Sequence, residues 1–89
     1  GDNEMVTQRF KETRDELARL VQEALSGKYK KSKTFGKTKE TYYFLGFYGD
    51  QDIAEESAEF IRKNFYCFAR VDTHERRGAA EAEIWIRRK

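Results

Sequence analysis

The sequence predicts an α+β domain of order α-β-β-α-β-β, a four-stranded antiparallel sheet with two helices on one face. Three observations predict it. One segment carries apolar residues at helical spacing and a second carries helix-cap and dipole signals, and each is followed by a pair of strand-like runs around a short connection. The run 40–48 is apolar in both of its alternating sets, as a central strand requires, whereas 29–35 is rich in lysine, as a protected edge strand requires. The 89 residues are 38% charged, 38% hydrophobic and 15% aromatic, too rich in Tyr, Phe and Ile for a disordered chain. They are read as one domain, 1–89, with a modest core. Its opening Gly1-Asp2 reads as a cloning remnant on a domain cut from a longer protein.

The first helix is expected over 4–26, where Val6, Phe10, Leu17, Leu20, Val21, Ala24 and Leu25 recur on one face. Asp2 or Asn3 caps its start, and Gly27 is placed to end it in the left-handed conformation. Strands follow at 29–35 and 40–48 around Gly36-Lys37-Thr38-Lys39. The second helix is expected over 52–64, with Asp52 and Glu55 as a capping box and Arg62 and Lys63 at its negative end. Strands 65–73 and 80–88 close the chain around a turn of residues 74–79.

The expected spatial order is 65–73, 80–88, 40–48, 29–35. It resembles a circularly permuted ferredoxin-like sandwich, β-α-β-β-α-β with its first strand moved to the C-terminus. The order is also similar to half of a LAGLIDADG homing endonuclease, whose first helix ends in an acidic residue and Gly. Here the segment 20–27 has Ser26 before Gly27, so that metal-binding carboxylate and the nuclease activity do not carry over.

Alternation places Tyr43, Leu45, Phe47, Cys67, Ala69, Val71, Ala82, Ile84 and Ile86 toward the helices. The opposite face then carries Tyr42, Phe44, Tyr48, Tyr66, Phe68 and Trp85, with Arg70 and Arg87 among them. Six aromatics on an uncovered face call for an occupant. The candidates are stacked bases, a second copy packed sheet to sheet, or a covering domain of a longer protein.

Charge is segregated along the chain. Residues 1–27 sum to −2, 28–39 to +6, 40–60 to −6 and 61–89 to +4. Lys28, Lys30, Lys31, Lys33, Lys37 and Lys39 fill the first hairpin, and Arg76 and Arg77 mark the tip of the second. Such local concentration steers polyanions more than a net charge of +2 does. The competing reading is a solvated edge kept basic against aggregation.

Other chemistry fits poorly. The Gly-Lys-Thr at 36–38 resembles the end of a phosphate loop, but Lys31 stands where the first glycine belongs and a strand follows in place of a helix. Cys67 points inward and His74 lies near a turn, so no Cys–His pair forms. Asp50, Asp52 and Glu56 are explained by helix capping without a Mg²⁺ ion. No catalytic residue, cofactor or metal is therefore assigned. No apolar run reaches the ~18 residues of a membrane span, and a single cysteine fits a reducing, intracellular compartment, cytoplasmic or nuclear. The expected function is a non-enzymatic nucleic-acid-binding module for single strands or RNA. The alternative is a protein-interaction or homodimerisation domain using the aromatic sheet face.

Overall fold

Thr13 starts the first helix. In the computed structural model, which describes residues 8–76 and 79–89, its hydroxyl accepts the Glu16 N–H at 3.2 Å. The Glu16 carboxylate in turn accepts the Thr13 N–H at 2.8 Å. This capping box holds α1 (Arg14–Leu25) to a later start than the expected 4–26. The chain before it is extended, and β1 (Gln8–Arg9) pairs in parallel with a later strand. Phe10, expected in the core, is exposed. The expected caps Asp2 and Asn3, and Val6, lie outside the described residues. Leu17, Leu20, Val21 and Ala24 are buried as expected. Gly27, at φ +83°, ends the helix, and the Lys28 N–H donates back to the Glu23 carbonyl at 3.1 Å.

The first lysine-rich strand is shorter than expected. Lys30 takes φ +53°, so extended pairing begins only at β2 (Ser32–Phe35), and Tyr29 turns in against the helix-side core. A four-residue turn, with Gly36 at φ +76° and Lys39 at φ +53°, leads to β3 (Glu40–Tyr48). Asp50 caps α2 (Gln51–Asn64), accepting the N–H groups of Asp52 and Ile53, so Asp50 takes the role expected of Asp52. The hairpin of β4 (Cys67–Arg76) and β5 (Ala79–Arg88) is longer than predicted, and His74 lies in its ladder opposite Glu81 rather than in a turn.

The four antiparallel strands lie in the order β4-β5-β3-β2. Along the outer edge of β3, β2 covers Glu40–Tyr43 and β1 runs beside Phe47 and Tyr48. Two apolar clusters result. In one, Leu17, Leu20, Val21 and Ala24 of α1 and Ala54, Ala58 and Ile61 of α2 meet Leu45, Cys67, Ala69, Ala82, Ile84 and Ile86 of the sheet. The other holds Tyr42, Phe44 and Trp85, with Phe35 and Phe47 against it.

A bulge in β3 changes the expected assignment of its end. Phe44 pairs with Trp85 but Gly46 pairs with Ile84, so β3 advances by two residues where β5 advances by one. Beyond that point the alternation inverts. Tyr48, assigned to the aromatic outer face, is fully buried in the helix-side core, and Phe47, assigned to the helix side, packs in the outer cluster.

Gly46 at the bulge lets Arg9 through. A Cβ at position 46 would lie 2.6 Å from Arg9 Nε and 2.7 Å from its Cγ. The guanidinium lies near the Tyr29 ring and donates to the Leu45 carbonyl at 3.2 Å and the Tyr29 hydroxyl at 3.3 Å. Gly46→Ala is expected to cost about 1–3 kcal/mol of stability through overpacking. In an Arg9→Ala background the same change should cost much less, and urea unfolding of the four proteins checks the coupling. Additive costs would contradict this packing.

Candidate nucleic-acid interface

The outer face is built around Trp85. It is 2% exposed, and its indole N–H donates to Glu83 Oε1 at 3.1 Å. Phe44 meets it at a centroid distance of 5.2 Å and Phe35 at 5.9 Å, and Phe35 also meets Tyr42 at 5.3 Å, all edge to face. In a flat sheet β2 and β4, three ladders apart, would be separated by about 14 Å. Here the sheet curls into a half-barrel, and side chains from the two rims meet over the rings. Lys33 Nζ on β2 reaches Asp72 Oδ2 on β4 at 2.9 Å, and the Arg70 guanidinium lies 4.4 Å from the Phe35 centroid.

The cations expected to face a partner are therefore partly committed within the chain. Lys31 Nζ sits 4.3 Å from the Phe44 centroid and 5.8 Å from that of Trp85. Arg87 covers Phe68 at 4.5 Å and Tyr42 at 5.6 Å, and pairs with Glu40 at 3.7 Å. Lys28 pairs with Glu23 at 3.1 Å. Lys30, Lys37 and Lys39 are exposed and form no ion pair among the described residues. Arg77 lies outside the described residues, and Arg76 contributes backbone pairing to β4.

The stacking residues divide in the same way. Tyr42, Phe44 and Trp85 are buried by their own chain, and Tyr48 is in the other core. Tyr66 is 81% exposed and Phe68 38% exposed, both beside Lys89 Nζ at 5.6 and 5.3 Å. Rings and cations thus come together openly only at the start of β4 and the end of β5, among the described residues.

Sequence reasoning missed two polar groupings. Glu12 accepts the Tyr48 hydroxyl at 2.8 Å beneath Arg9. Burial raises the Glu12 carboxyl despite that hydrogen bond, and burial with the Glu12 charge pushes the Tyr48 phenol far up, so this tyrosine stays protonated. The second grouping is Asp72, His74 and Glu83, of which His74 and Glu83 line a cavity of about 410 Å³ together with Lys31, Lys33 and Trp85. The i, i+2 spacing of Asp72 and His74 and their cross-strand relation to Glu83 were the available signal, hidden by the reading of residue 74 as a turn.

Compared with family models, curated proteins and solved structures, the chain matches none.

The Lys33 hydrogen bond, with His74 adding to it, holds the Asp72 carboxyl below the usual range. Stability from a depressed carboxylate is present at neutral pH and lost as pH falls through its folded-state value. Lys33→Gln should return Asp72 toward the ordinary value of about 3.9 in an NMR titration. It should cost no more than about 1 kcal/mol at neutral pH, as exposed pairs do. The difference between the two proteins should vanish once Asp72 is protonated in both. An unmoved Asp72 titration would contradict the contact.

Proposed function

We propose that the chain is a non-enzymatic nucleic-acid-binding module that takes a single strand of RNA or DNA across the Tyr66–Phe68 end of the sheet and along the lysine-rich hairpin. The observation that carries this reading is the pairing of exposed rings with cations at one place, Tyr66 and Phe68 beside Lys89 and Arg87. Bases stack on exposed rings whatever their identity, and cations beside the rings meet the phosphates between them. Lys30, Lys37 and Lys39 extend the positive surface and form no ion pair among the described residues. Trp85, Phe44 and Tyr42 are buried by their own chain and do not stack with a base on this reading.

The order β4-β5-β3-β2, with both helices in one apolar cluster, also supports reading the fold as a permuted ferredoxin-like sandwich. The second functional reading, a protein-interaction or homodimerisation domain, draws support from the outer edge of β4, which pairs with no further strand among the described residues. Arg62 Nε guards only part of that edge, donating to the Ala69 carbonyl at 3.0 Å.

If about three or four phosphates are neutralised, affinity for a single-stranded oligonucleotide should fall with salt at a log–log slope of around −2 to −3. Tyr66→Ala or Phe68→Ala should each weaken binding by roughly 1–3 kcal/mol and leave the fold intact. Lys37→Gln with Lys39→Asn should flatten the slope by about one unit or more. Asn suits position 39 because it tolerates the left-handed backbone found there. No binding at low salt would reject the reading, and a concentration-dependent dimer under those conditions would favour the second.

A further inference from the structure

We propose that Asp72, His74 and Glu83 form a binding site for a divalent transition-metal ion of the zinc class on the outer face of the sheet. The ladder assembles the site. Asp72 stands directly opposite Glu83 in the β4–β5 pairing, and His74 lies two residues along β4, so all three side chains rise from the same face. His74 Nε2 is 3.1 Å from Asp72 Oδ2 and 3.2 Å from Glu83 Oε1, and the three ligand atoms all lie within 4.8 Å of one another. Two ligands of a tetrahedral centre with metal–ligand bonds of about 2.0–2.1 Å sit about 3.3 Å apart, close to both histidine distances.

The chemistry of the donors points the same way. Ionised carboxylates only accept hydrogen bonds, and one imidazole nitrogen has at most one hydrogen to offer the two of them. Trp85 and Lys33 serve the two oxygens as well, and a divalent cation would bind all three atoms at once in exchange for the Lys33 contact. One imidazole nitrogen and two carboxylate oxygens suit zinc and its neighbours better than they suit Ca²⁺ or Mg²⁺, which prefer oxygen alone. The indole N–H of the buried Trp85 donates to Glu83 Oε1 and so orients that ligand, as partners behind a metal ligand do. The adjoining cavity of about 410 Å³ has room for water in the remaining coordination positions. Lys33 is the competitor, since its ammonium occupies Asp72 Oδ2 at 2.9 Å.

Calorimetric titration of the full chain with ZnCl₂, and with CoCl₂ followed by visible absorption, tests the site. The expected result is one ion per chain, with affinity lowered at least about ten-fold by His74→Ala and by Glu83→Gln and raised by Lys33→Ala. Glu83→Gln keeps an oxygen to accept the Trp85 N–H, so it separates loss of the ion from loss of the fold. Absence of saturable binding would overturn the proposal. Binding that is indifferent to His74→Ala and Glu83→Gln would also overturn it, as would weakening by Lys33→Ala. Such an ion would sit on other carboxylates, such as Asp50 and Asp52.

Discussion

The curl of the sheet brings Lys33 within 2.9 Å of Asp72 and sets Arg70 over Phe35. Two helices supply apolar cover for one layer of sheet side chains, and a chain of this length has no further helix among its described residues for the other. Curling closes that second layer with the rims of the sheet itself. Phe35 folds inward from β2, and the charged heads of Lys31, Lys33, Arg70 and Arg87 lie over the rings. Each exposed cation–ring contact contributes only about 0.5–1 kcal/mol, and each ring pair about 0.5–1.5 kcal/mol. The larger gain comes from removing Tyr42, Phe44 and Trp85 from water, roughly 1.5–3 kcal/mol for a side chain of this size.

The bulge at Leu45–Gly46 ties the two cores together. It turns Phe47 toward the outer cluster and Tyr48 toward the inner one, where its hydroxyl finds Glu12. The same irregularity bares the backbone over which Arg9 passes to reach Leu45 and Tyr29. The segment before α1 is thereby fastened to the end of β3 by two ladder pairs and by the hydrogen bonds of Arg9 to Leu45 and of Tyr48 to Glu12. Half-buried Glu12 is tolerated because Arg9 and Tyr48 replace the water it has lost.

The strand order was legible because composition reports position in a sheet: 40–48 is apolar on both faces and 29–35 is charged. The helix boundaries were less so. Apolar spacing runs back through Phe10 and Val6, and it hid the capping box written as Thr13 and Glu16 three residues apart. Period-two reasoning placed Tyr42, Phe44, Trp85, Cys67 and Ala69 correctly, but a single inserted residue reverses every assignment beyond it, which is why Tyr48 and Phe47 exchanged faces. Aromatic content alone could not reveal that the outer face covers itself, because that depends on curvature, which brings together residues nearly forty positions apart. The lysine run divides for the same reason. Lys31 and Lys33 lie over the rings of the outer face, and Lys30, Lys37 and Lys39 are exposed.

A face closed by its own chain presents a partner with a rim rather than a platform. On the proposed nucleic-acid reading, recognition would be confined to the exposed Tyr66 and Phe68 and the cations around them. Trp85 is the single tryptophan, so its fluorescence reports on the closed face directly. Acrylamide quenching should be measured on a sample whose mass in solution is that of one chain, without oligonucleotide or metal. A closed outer face predicts blue-shifted emission and weak quenching under those conditions. Red-shifted, freely quenched emission that becomes shielded only on association or ligand addition would contradict it.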